Sequence, residues 1–122
     1  MDEPLVADAG RLSQVLINII SNSIKFSPEN GTVFASASAN NRYITYRIKD
    51  SGPGIPISLR DSIFEMFTQA AGENKRKGTG LGLAISKSIV DAHGGKIWFD
   101  TELEKGSTFY VQIPLRQTIL IE

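Results

Sequence analysis

Three polar side chains on one predicted helix are suited to binding a metal ion and a phosphate group. Asn18, Asn22 and Lys25 are spaced four and three residues apart, so they share one face of a helix, next to its apolar face. Asparagine is a mediocre helix former, because its amide competes for the backbone. Amide oxygens can bind a hard Mg²⁺ ion, and an ammonium group can bind phosphate. For this helix alone, the alternative is an ordinary solvated polar face.

A carboxylate follows a predicted strand whose apolar residues alternate. The strand before Asp50 carries apolar residues at every second position, Ile44, Tyr46 and Ile48. Period two therefore directs Asp50 to the same side as these three side chains. A carboxylate in apolar surroundings needs a hydrogen-bond donor, and the exocyclic amine of a purine is one candidate. The alternative is a turn-starting residue that binds the backbone amides of Gly52 or Gly54.

A glycine-rich segment opens the second long helix. Its residues are Gly78, Thr79, Gly80, Leu81, Gly82 and Leu83. Glycines at a helix start let backbone amides approach a phosphate, and the helix dipole favours the anion. Asp100 follows Gly80 by twenty residues, but a dinucleotide-binding motif must directly follow a strand, and residues 71–77 are polar and unpatterned. A mobile lid closing over a ligand agrees better with the polar segment 69–80.

These residues must be positioned by two long helices and a sheet. Apolar residues recur at helical spacing over residues 11–26 and 81–93, and a short helical piece is predicted around residues 59–67. Strands are predicted at residues 4–7, 32–39, 42–50, 96–101 and 107–115. Asn40 and Asn41 tolerate the positive φ of a tight hairpin, and Gly94 with Gly95 ends the last helix. The order predicts an α+β two-layer sandwich, with helices on one face of a mostly antiparallel sheet.

Composition limits the class of protein. The 122 residues, 41% of them hydrophobic, predict one globular domain. The absence of cysteine excludes disulfides and thiolate metal sites. Thirteen basic and thirteen acidic residues argue against a nucleic-acid binder. No apolar run is long enough to span a membrane and no secretion signal is visible, so a soluble, cytoplasmic domain without membrane contact of its own is expected.

Taken in order, the motifs resemble those of one family. This family is the catalytic, ATP-binding domain of two-component sensor histidine kinases, within the GHKL ATPase superfamily. Residues 18–26 resemble its N box, 50–56 its first glycine box, 63–67 its F box, 78–83 its second glycine box and 106–109 a third, less distinctive one. The resemblance extends over nearly the whole chain. Any single box is a weak match, whereas all of them in order are highly specific.

The resemblance implies a Bergerat-type sandwich of about five strands packed on about three helices, which binds ATP and Mg²⁺. Asn22 would bind Mg²⁺, with Asn18 and Lys25 near the phosphates. Phe26 would cover the adenine, and Asp50 would accept a hydrogen bond from its amino group. Gly52 and Gly54 would shape the adenine pocket, and Gly78, Gly80 and Gly82 would cradle the phosphates. Phe64 and Phe67 would anchor the lid, within which Lys75, Arg76 and Lys77 are candidate phosphate contacts. The other implied ATP-binding residues are Ile55, Thr79, Leu81, Leu83 and Thr108.

Two absences narrow the implied reaction. Kinases of this family phosphorylate a histidine on a separate dimerisation helix, whereas the single histidine here, His93, stands at a helix end and is expected to be structural. Superfamily hydrolases such as gyrase and MutL carry a water-activating glutamate at the position of Asn18. An amide cannot accept that proton, so phosphoryl transfer would depend on positioning and on a nucleophile from the partner domain.

We therefore expect residues 1–122 to be the catalytic fragment of a sensor kinase, with an N-terminal strand missing and the dimerisation and phosphoacceptor domain absent. It would donate the γ-phosphate of Mg²⁺-ATP to a histidine on that domain, upstream of a response regulator, in the cytoplasm or on the cytoplasmic side of a membrane-bound sensor. The alternatives are a GHKL hydrolase, which Asn18 disfavours, and a non-catalytic nucleotide-binding scaffold, which the intact asparagines and glycines disfavour.

Overall fold

Two α-helices and a four-stranded sheet make up the part of the chain that the computed structural model describes, residues 9–65 and 81–115. The elements are α1 (Ala9–Phe26), β1 (Phe34–Ala39), β2 (Tyr43–Lys49), α2 (Leu81–Ala92), β3 (Lys96–Glu102) and β4 (Gly106–Pro114), with a 3₁₀ turn at Ile57–Leu59. The strand predicted at residues 4–7 and the lid predicted at 69–80 lie outside the described residues.

The four strands pair in the order β1-β2-β4-β3, and every pair is antiparallel. The last strand in sequence therefore lies inside the sheet, between β2 and β3. Phe109 of β4 pairs with Ile48 on one side and with Phe99 on the other. Residues that pair directly share a face of the sheet, so these three side chains line the same face.

Both helices pack on that face. The side chains of Leu12, Val15 and Ile19 on α1 are buried and recur every three or four residues, which places them in one helical stripe. The odd-numbered residues of β4 are buried and the even-numbered ones are only half-buried from Phe109 onward, as period two requires. The predicted α+β two-layer sandwich is confirmed. None of the helices in residues 9–65 and 81–115 is long and apolar enough to cross a membrane.

Aromatic side chains cover part of the opposite face of the sheet. Trp98 and Tyr110 pair across β3 and β4, and their rings stack with centroids 5.0 Å apart. The guanidinium of Arg47 lies 5.7 Å from the centroid of the Tyr110 ring, within the range of a cation–π contact. This face therefore carries polar side chains beside its aromatic ones, whereas the face beneath the helices is hydrophobic.

The short helix predicted around residues 59–67 is a series of tighter turns as far as the structure describes it. The backbone N–H groups of Arg60, Ser62 and Glu65 each donate to the carbonyl three residues earlier, the pattern of a 3₁₀ rather than an α-helix. The hydroxyl of Ser62 also donates back to the carbonyl of Leu59 at 3.4 Å. Local side-chain bonding of this kind competes with α-helix formation.

The β1–β2 hairpin forms as predicted, but by a different turn chemistry. Among the described non-glycine residues, positive φ occurs at Asn30 and Glu104 and not at the asparagines of this hairpin. Instead, the side-chain oxygen of Asn40 accepts hydrogen bonds from the backbone N–H groups of Arg42 and Tyr43, both at 2.8 Å. The amide side chain of Asn40 closes the turn in the way that Asx turns do.

Candidate functional site

Asp50 is a buried carboxylate held by backbone donors. Its side chain is 7% exposed, and its Oδ1 accepts hydrogen bonds from the N–H of Gly52 at 2.9 Å and of Ser107 at 3.2 Å. The N–H of Asp50 in turn donates to the carbonyl of Ser107 at 2.8 Å. The turn role that the sequence left open is therefore real. Both described bonds use one oxygen, so Oδ2 makes no hydrogen bond within the described residues.

The loop after Asp50 is fixed against the β3–β4 turn. Gly54 has a φ of 81°, and a Cβ atom there would lie 2.6 Å from the carbonyl oxygen of Glu102, so only glycine can occupy this close approach. The carbonyl of Pro53 accepts from the N–H of Glu104 at 2.8 Å. Ile55, 7% exposed, donates its N–H to the hydroxyl of Thr101 at 2.9 Å. The predicted glycine loop, beside the carboxylate, is thus hydrogen-bonded to β3 and to the β3–β4 turn.

The two adjacent hydroxyl residues of β4 lie on opposite faces of the sheet. Ser107 is buried on the helix-covered face with Phe109, beside Asp50. Thr108 pairs with Lys49 and Asp100 on the other face. The resemblance suggested Thr108, whereas the structure places Ser107 next to the carboxylate. The alternation of apolar residues in this strand was the available signal, because it already assigns the odd-numbered positions to the core.

Asn18 connects α1 to the first turns of α2. Its side-chain nitrogen donates to the carbonyl of Gly82 and to the hydroxyl of Ser86, both at 3.4 Å. Ser86 is completely buried, and the sequence reasoning did not select it. Asn22 is half-buried and Lys25 exposed at the end of the same helix. The cationic end of Lys25 is favourable in the last turn of a helix, where the carbonyl ends carry partial negative charge.

The loop after α1 brings the helix to the Asp50 end of the sheet. The backbone N–H of Thr32 donates to the hydroxyl of Ser51 at 3.2 Å, and the hydroxyl of Ser51 donates back to the carbonyl of Thr32 at 3.5 Å. Ser51 directly follows Asp50. The loop after α1 is therefore attached to the residue that follows the carboxylate.

Two predicted site residues, Phe64 and Leu83, pack against the hydrophobic core. The ring of Phe64 lies 6.0 Å from that of Phe99 and 6.3 Å from that of Phe109, centroid to centroid, and Leu83 is half-buried against the same core. Seven predicted site residues lie outside the described residues: Phe67, Lys75, Arg76, Lys77, Gly78, Thr79 and Gly80. The side chains of Phe26 and Leu81 also lie outside the described part.

His93 is placed at the end of α2. Its Nδ1 lies 2.8 Å from the carbonyl oxygen of Ile89, one turn earlier, where an N–H donor satisfies a terminal helix carbonyl. Gly94 follows with a φ of 71°, and the N–H of Gly95 donates to the carbonyl of Val90 at 3.0 Å. This is a glycine-terminated helix end, and the ring of His93 contributes to it.

Comparison with known proteins gives this arrangement its family. Residues 7–117 match the family model described as histidine kinase-, DNA gyrase B- and HSP90-like ATPase. The circadian input-output histidine kinase CikA of Synechococcus elongatus is 41% identical over 116 residues, which cover 93% of this chain and 15% of CikA. The chain is thus similar to a small part of a much longer curated relative.

Solved structures agree in fold. The mycobacterial sensor histidine kinase MprB superposes with a TM-score of 0.82 at 31% identity, covering 93% of this chain and 78% of that one. Full-length ShkA in complex with AMPPNP gives a TM-score of 0.80 at 35% identity, covering 97% of this chain and 24% of that one. The chain belongs to the histidine kinase-, DNA gyrase B- and HSP90-like ATPase family, as an ATP-binding catalytic domain of the sensor histidine kinase type.

Proposed function

We propose that this domain binds Mg²⁺-ATP and donates the γ-phosphoryl group to a histidine on a separate dimerisation domain of the same kinase. The observation that carries the proposal is the buried carboxylate of Asp50, whose Oδ1 is held by the N–H groups of Gly52 and Ser107. A carboxylate fixed through one oxygen can offer the other to the exocyclic amine of adenine. The relative ShkA, whose structure contains AMPPNP, supports an adenine nucleotide as the ligand.

The asparagine face of α1 would hold the metal and the phosphates. The amide nitrogen of Asn18 contacts Gly82 and Ser86, so its amide oxygen lies on the other side of the same planar group. Asn22, one turn further along α1, carries a second amide oxygen. Mg²⁺ takes few protein oxygens and completes its octahedron with water and substrate phosphates, so this donor set suits it. Bound Mg²⁺ would neutralise negative charge on the phosphates.

Phosphoryl transfer in this domain would depend on positioning. Asn18 stands where a superfamily hydrolase has its glutamate, and an amide has no lone pair basic enough to deprotonate water. Asn18 and Lys25 would then lie near the phosphates, with Asn22 at the Mg²⁺ ion, and the incoming histidine would supply the nucleophile. His93 is assigned a structural role and not that of acceptor, because its ring contributes to the end of α2 through Nδ1 and the carbonyl of Ile89.

The place of the domain in its protein follows from this reaction. The chain spans 15% of the length of CikA and 24% of that of ShkA, so both relatives are several times longer. We propose that residues 1–122 form the catalytic domain of a larger sensor kinase, working in the cytoplasm. Its partners would be the dimerisation and phosphoacceptor domain and, downstream, a response regulator.

A transfer assay tests this function. The 122-residue chain is incubated with γ-labelled Mg²⁺-ATP and a separately produced dimerisation domain from a sensor kinase. We expect label on the acceptor domain that is lost in acid and kept in alkali, because a phosphoramidate forms on histidine. An acceptor whose histidine is replaced by alanine should stay unlabelled, and His93→Ala in this chain should leave the transfer unchanged.

Two other outcomes would point to the rival functions. Brisk phosphate release with no labelled acceptor would assign the domain to the hydrolases. ATP binding with neither hydrolysis nor transfer to any acceptor offered would assign it to non-catalytic nucleotide-binding modules.

A further inference from the structure

The hydroxyl of Thr101 joins three parts of the candidate site. Thr101 pairs with Ser107 across β3 and β4, and their hydroxyl oxygens are 2.8 Å apart. The same Thr101 oxygen accepts the backbone N–H of Ile55 at 2.9 Å and lies 3.3 Å from the carbonyl oxygen of Gly106. One side chain therefore connects the glycine loop after β2, strand β3 and the beginning of β4.

Both segments that Thr101 contacts continue to the carboxylate of Asp50. On one side, Ser107 donates its N–H to Asp50 Oδ1 at 3.2 Å and accepts the N–H of Asp50 at 2.8 Å. On the other side, Ile55 ends the loop that begins with Gly52, whose N–H donates to the same Oδ1 at 2.9 Å. Thr101 thus braces the two backbone segments that orient this carboxylate.

The hydroxyl protons of Thr101 and Ser107 can be arranged in two ways. If Thr101 donates to Ser107, the proton of Ser107 is available to a bound molecule. If Thr101 donates to the carbonyl of Gly106, it accepts the proton of Ser107, and Ser107 then offers only lone pairs. Each hydroxyl has one proton and two acceptor positions, so Thr101 can accept the N–H of Ile55 in both arrangements. Ser107 can therefore serve as a donor or an acceptor toward a bound molecule.

Burial makes these contacts hard to replace by water. The exposed fractions of Asp50, Ile55 and Ser107 are 7%, 7% and 6%. Without the Thr101 hydroxyl, the N–H of Ile55 would lose its acceptor in a place that water reaches poorly, and a buried unpaired donor is unfavourable. The glycine loop and the hydroxyl oxygen of Ser107 would then no longer be held in one position.

We propose that Thr101 is a positioning residue of the nucleotide site, which fixes the Ser107 hydroxyl and the Asp50 carboxylate for recognition of the base. This inference rests on the proposed function, because it assigns Thr101 to the base end of the ATP site. Thr101 acts through its neighbours and does not itself need to touch the nucleotide. Loss of the Thr101 hydroxyl should therefore change ATP affinity and base preference, while the asparagines of α1 stay in place.

Three variants of similar size test the proposal by calorimetric titration with Mg²⁺-ATP. Thr101→Val keeps the shape and removes the hydroxyl, and we expect its affinity to fall about tenfold. Thr101→Ser keeps the hydroxyl and should stay within about twofold of wild type. Thr45→Val is the matched control, since Thr45 pairs with Gln112 on the opposite face and its hydroxyl accepts from that side chain at 3.4 Å. It should also stay within about twofold.

A double-variant cycle separates positioning from general damage to the fold. If Thr101 acts through Ser107, the combined affinity loss in Thr101→Val with Ser107→Ala will be smaller than the product of the two single losses. The ATP-to-GTP affinity ratio should also decrease in Thr101→Val, whereas partial unfolding would scale both affinities equally. Should Thr101→Val fail to fold, Thr101→Cys, with only a weak S–H donor, replaces it under the same criteria.

The outcomes distinguish this inference from the function on which it rests. A wild-type chain that does not bind Mg²⁺-ATP would overturn both. If the wild type binds ATP and Thr101→Val binds it equally well, or if the losses at Thr101 and Ser107 simply multiply, the role of Thr101 is overturned and the proposed function stands. Failure of Thr101→Ser to restore binding would also contradict a role for the hydroxyl.

Discussion

At the scale of single residues, the site depends on how one carboxylate is oriented. The turn-forming and base-binding interpretations of Asp50 looked like alternatives in the sequence, but its two oxygens allow both. Oδ1 accepts hydrogen bonds from two backbone donors, which leaves Oδ2 for a ligand. A buried carboxylate needs such donors to remain favourable, so the structural role of Asp50 prepares the proposed functional one.

Replacement of Asp50 should affect ATP more than GTP. Guanine presents a carbonyl where adenine presents its amine, so the carboxylate of Asp50 faces an acceptor when GTP is bound. We expect Asp50→Asn to weaken ATP binding by about 1–3 kcal/mol and to reduce the preference over GTP. Calorimetry with both nucleotides measures this. Asp100→Asn, a change of an exposed carboxylate, is the control, and equal affinity of the wild type for ATP and GTP would contradict the assignment.

Replacement of Asn22 should act through the metal ion. The amide oxygen of Asn22 is the proposed Mg²⁺ ligand, so Asn22→Ala should weaken ATP binding in Mg²⁺ by about tenfold and have little effect in its absence. Titration with ATP in magnesium and in EDTA separates the two terms. Asn41→Ala removes an exposed asparagine from the β1–β2 hairpin and serves as the control. A loss of equal size under both conditions would argue against metal binding by this residue.

At the scale of elements, periodicity predicts the long helices and the strands, but not the turns whose hydrogen bonds depend on packing. The stripe of Leu12, Val15 and Ile19 predicts α1, and alternation predicts the strands, because burial of one face imposes each period. The turns over residues 57–65 could not be predicted in this way, since a short segment takes its hydrogen-bond pattern from the surface on which it packs. There Phe64 docks against Phe99 and Phe109.

The candidate site was also only partly predictable from the sequence. Alternation within β2 predicts that Asp50 faces the core. The links from Asn18 to Ser86 and from Ile55 to Thr101 join residues 68 and 46 positions apart. No local pattern in the sequence encodes such a pairing. The inward orientation of Ser107 could be predicted, because the odd-numbered apolar residues of β4 already define its inner face.

The first turn of α2 should separate stability from binding at Gly82. A Cβ atom built there would have Asn18 as its nearest neighbour at 3.9 Å, an ordinary contact, so packing does not require glycine. Gly82→Ala should therefore leave stability unchanged or raise it by up to about 1 kcal/mol, while weakening ATP binding if the phosphates approach this backbone. Urea unfolding and calorimetry report the two effects. Gly54→Ala, at a φ of 81°, should instead be clearly destabilised, and a stability loss at Gly82 of the same size would contradict the argument.

At the scale of the whole molecule, the proposed reaction needs more than this domain. CikA and full-length ShkA are several times longer than this chain, and the proposed nucleophile belongs to another domain. With Asn18 in place of a basic glutamate, nothing proposed for this site activates water. The domain would therefore keep ATP intact until its acceptor arrives.

The isolated chain should accordingly bind ATP and hydrolyse it very slowly. We expect the wild-type chain and the Asp50→Asn variant, prepared in the same way, to release phosphate at the same slow rate. Contaminating enzymes would account for both rates. A coupled phosphate assay over hours measures both proteins. Rapid turnover by the wild type that Asp50→Asn abolishes would show that the site itself hydrolyses ATP.

The position of β4 has a consequence for the order in which this molecule can assemble. Its residues are the last of the four strands along the chain, yet they lie between β2 and β3 and supply Ser107 to Asp50. Pairings between distant segments form slowly, because the intervening chain must first be closed into a loop. A ribosome-bound chain that ends before β4 would hold a β1–β2 hairpin and a β3 strand without their common neighbour. The ability to hold nucleotide should therefore arise in a single late step, when β4 leaves the ribosome and enters the sheet.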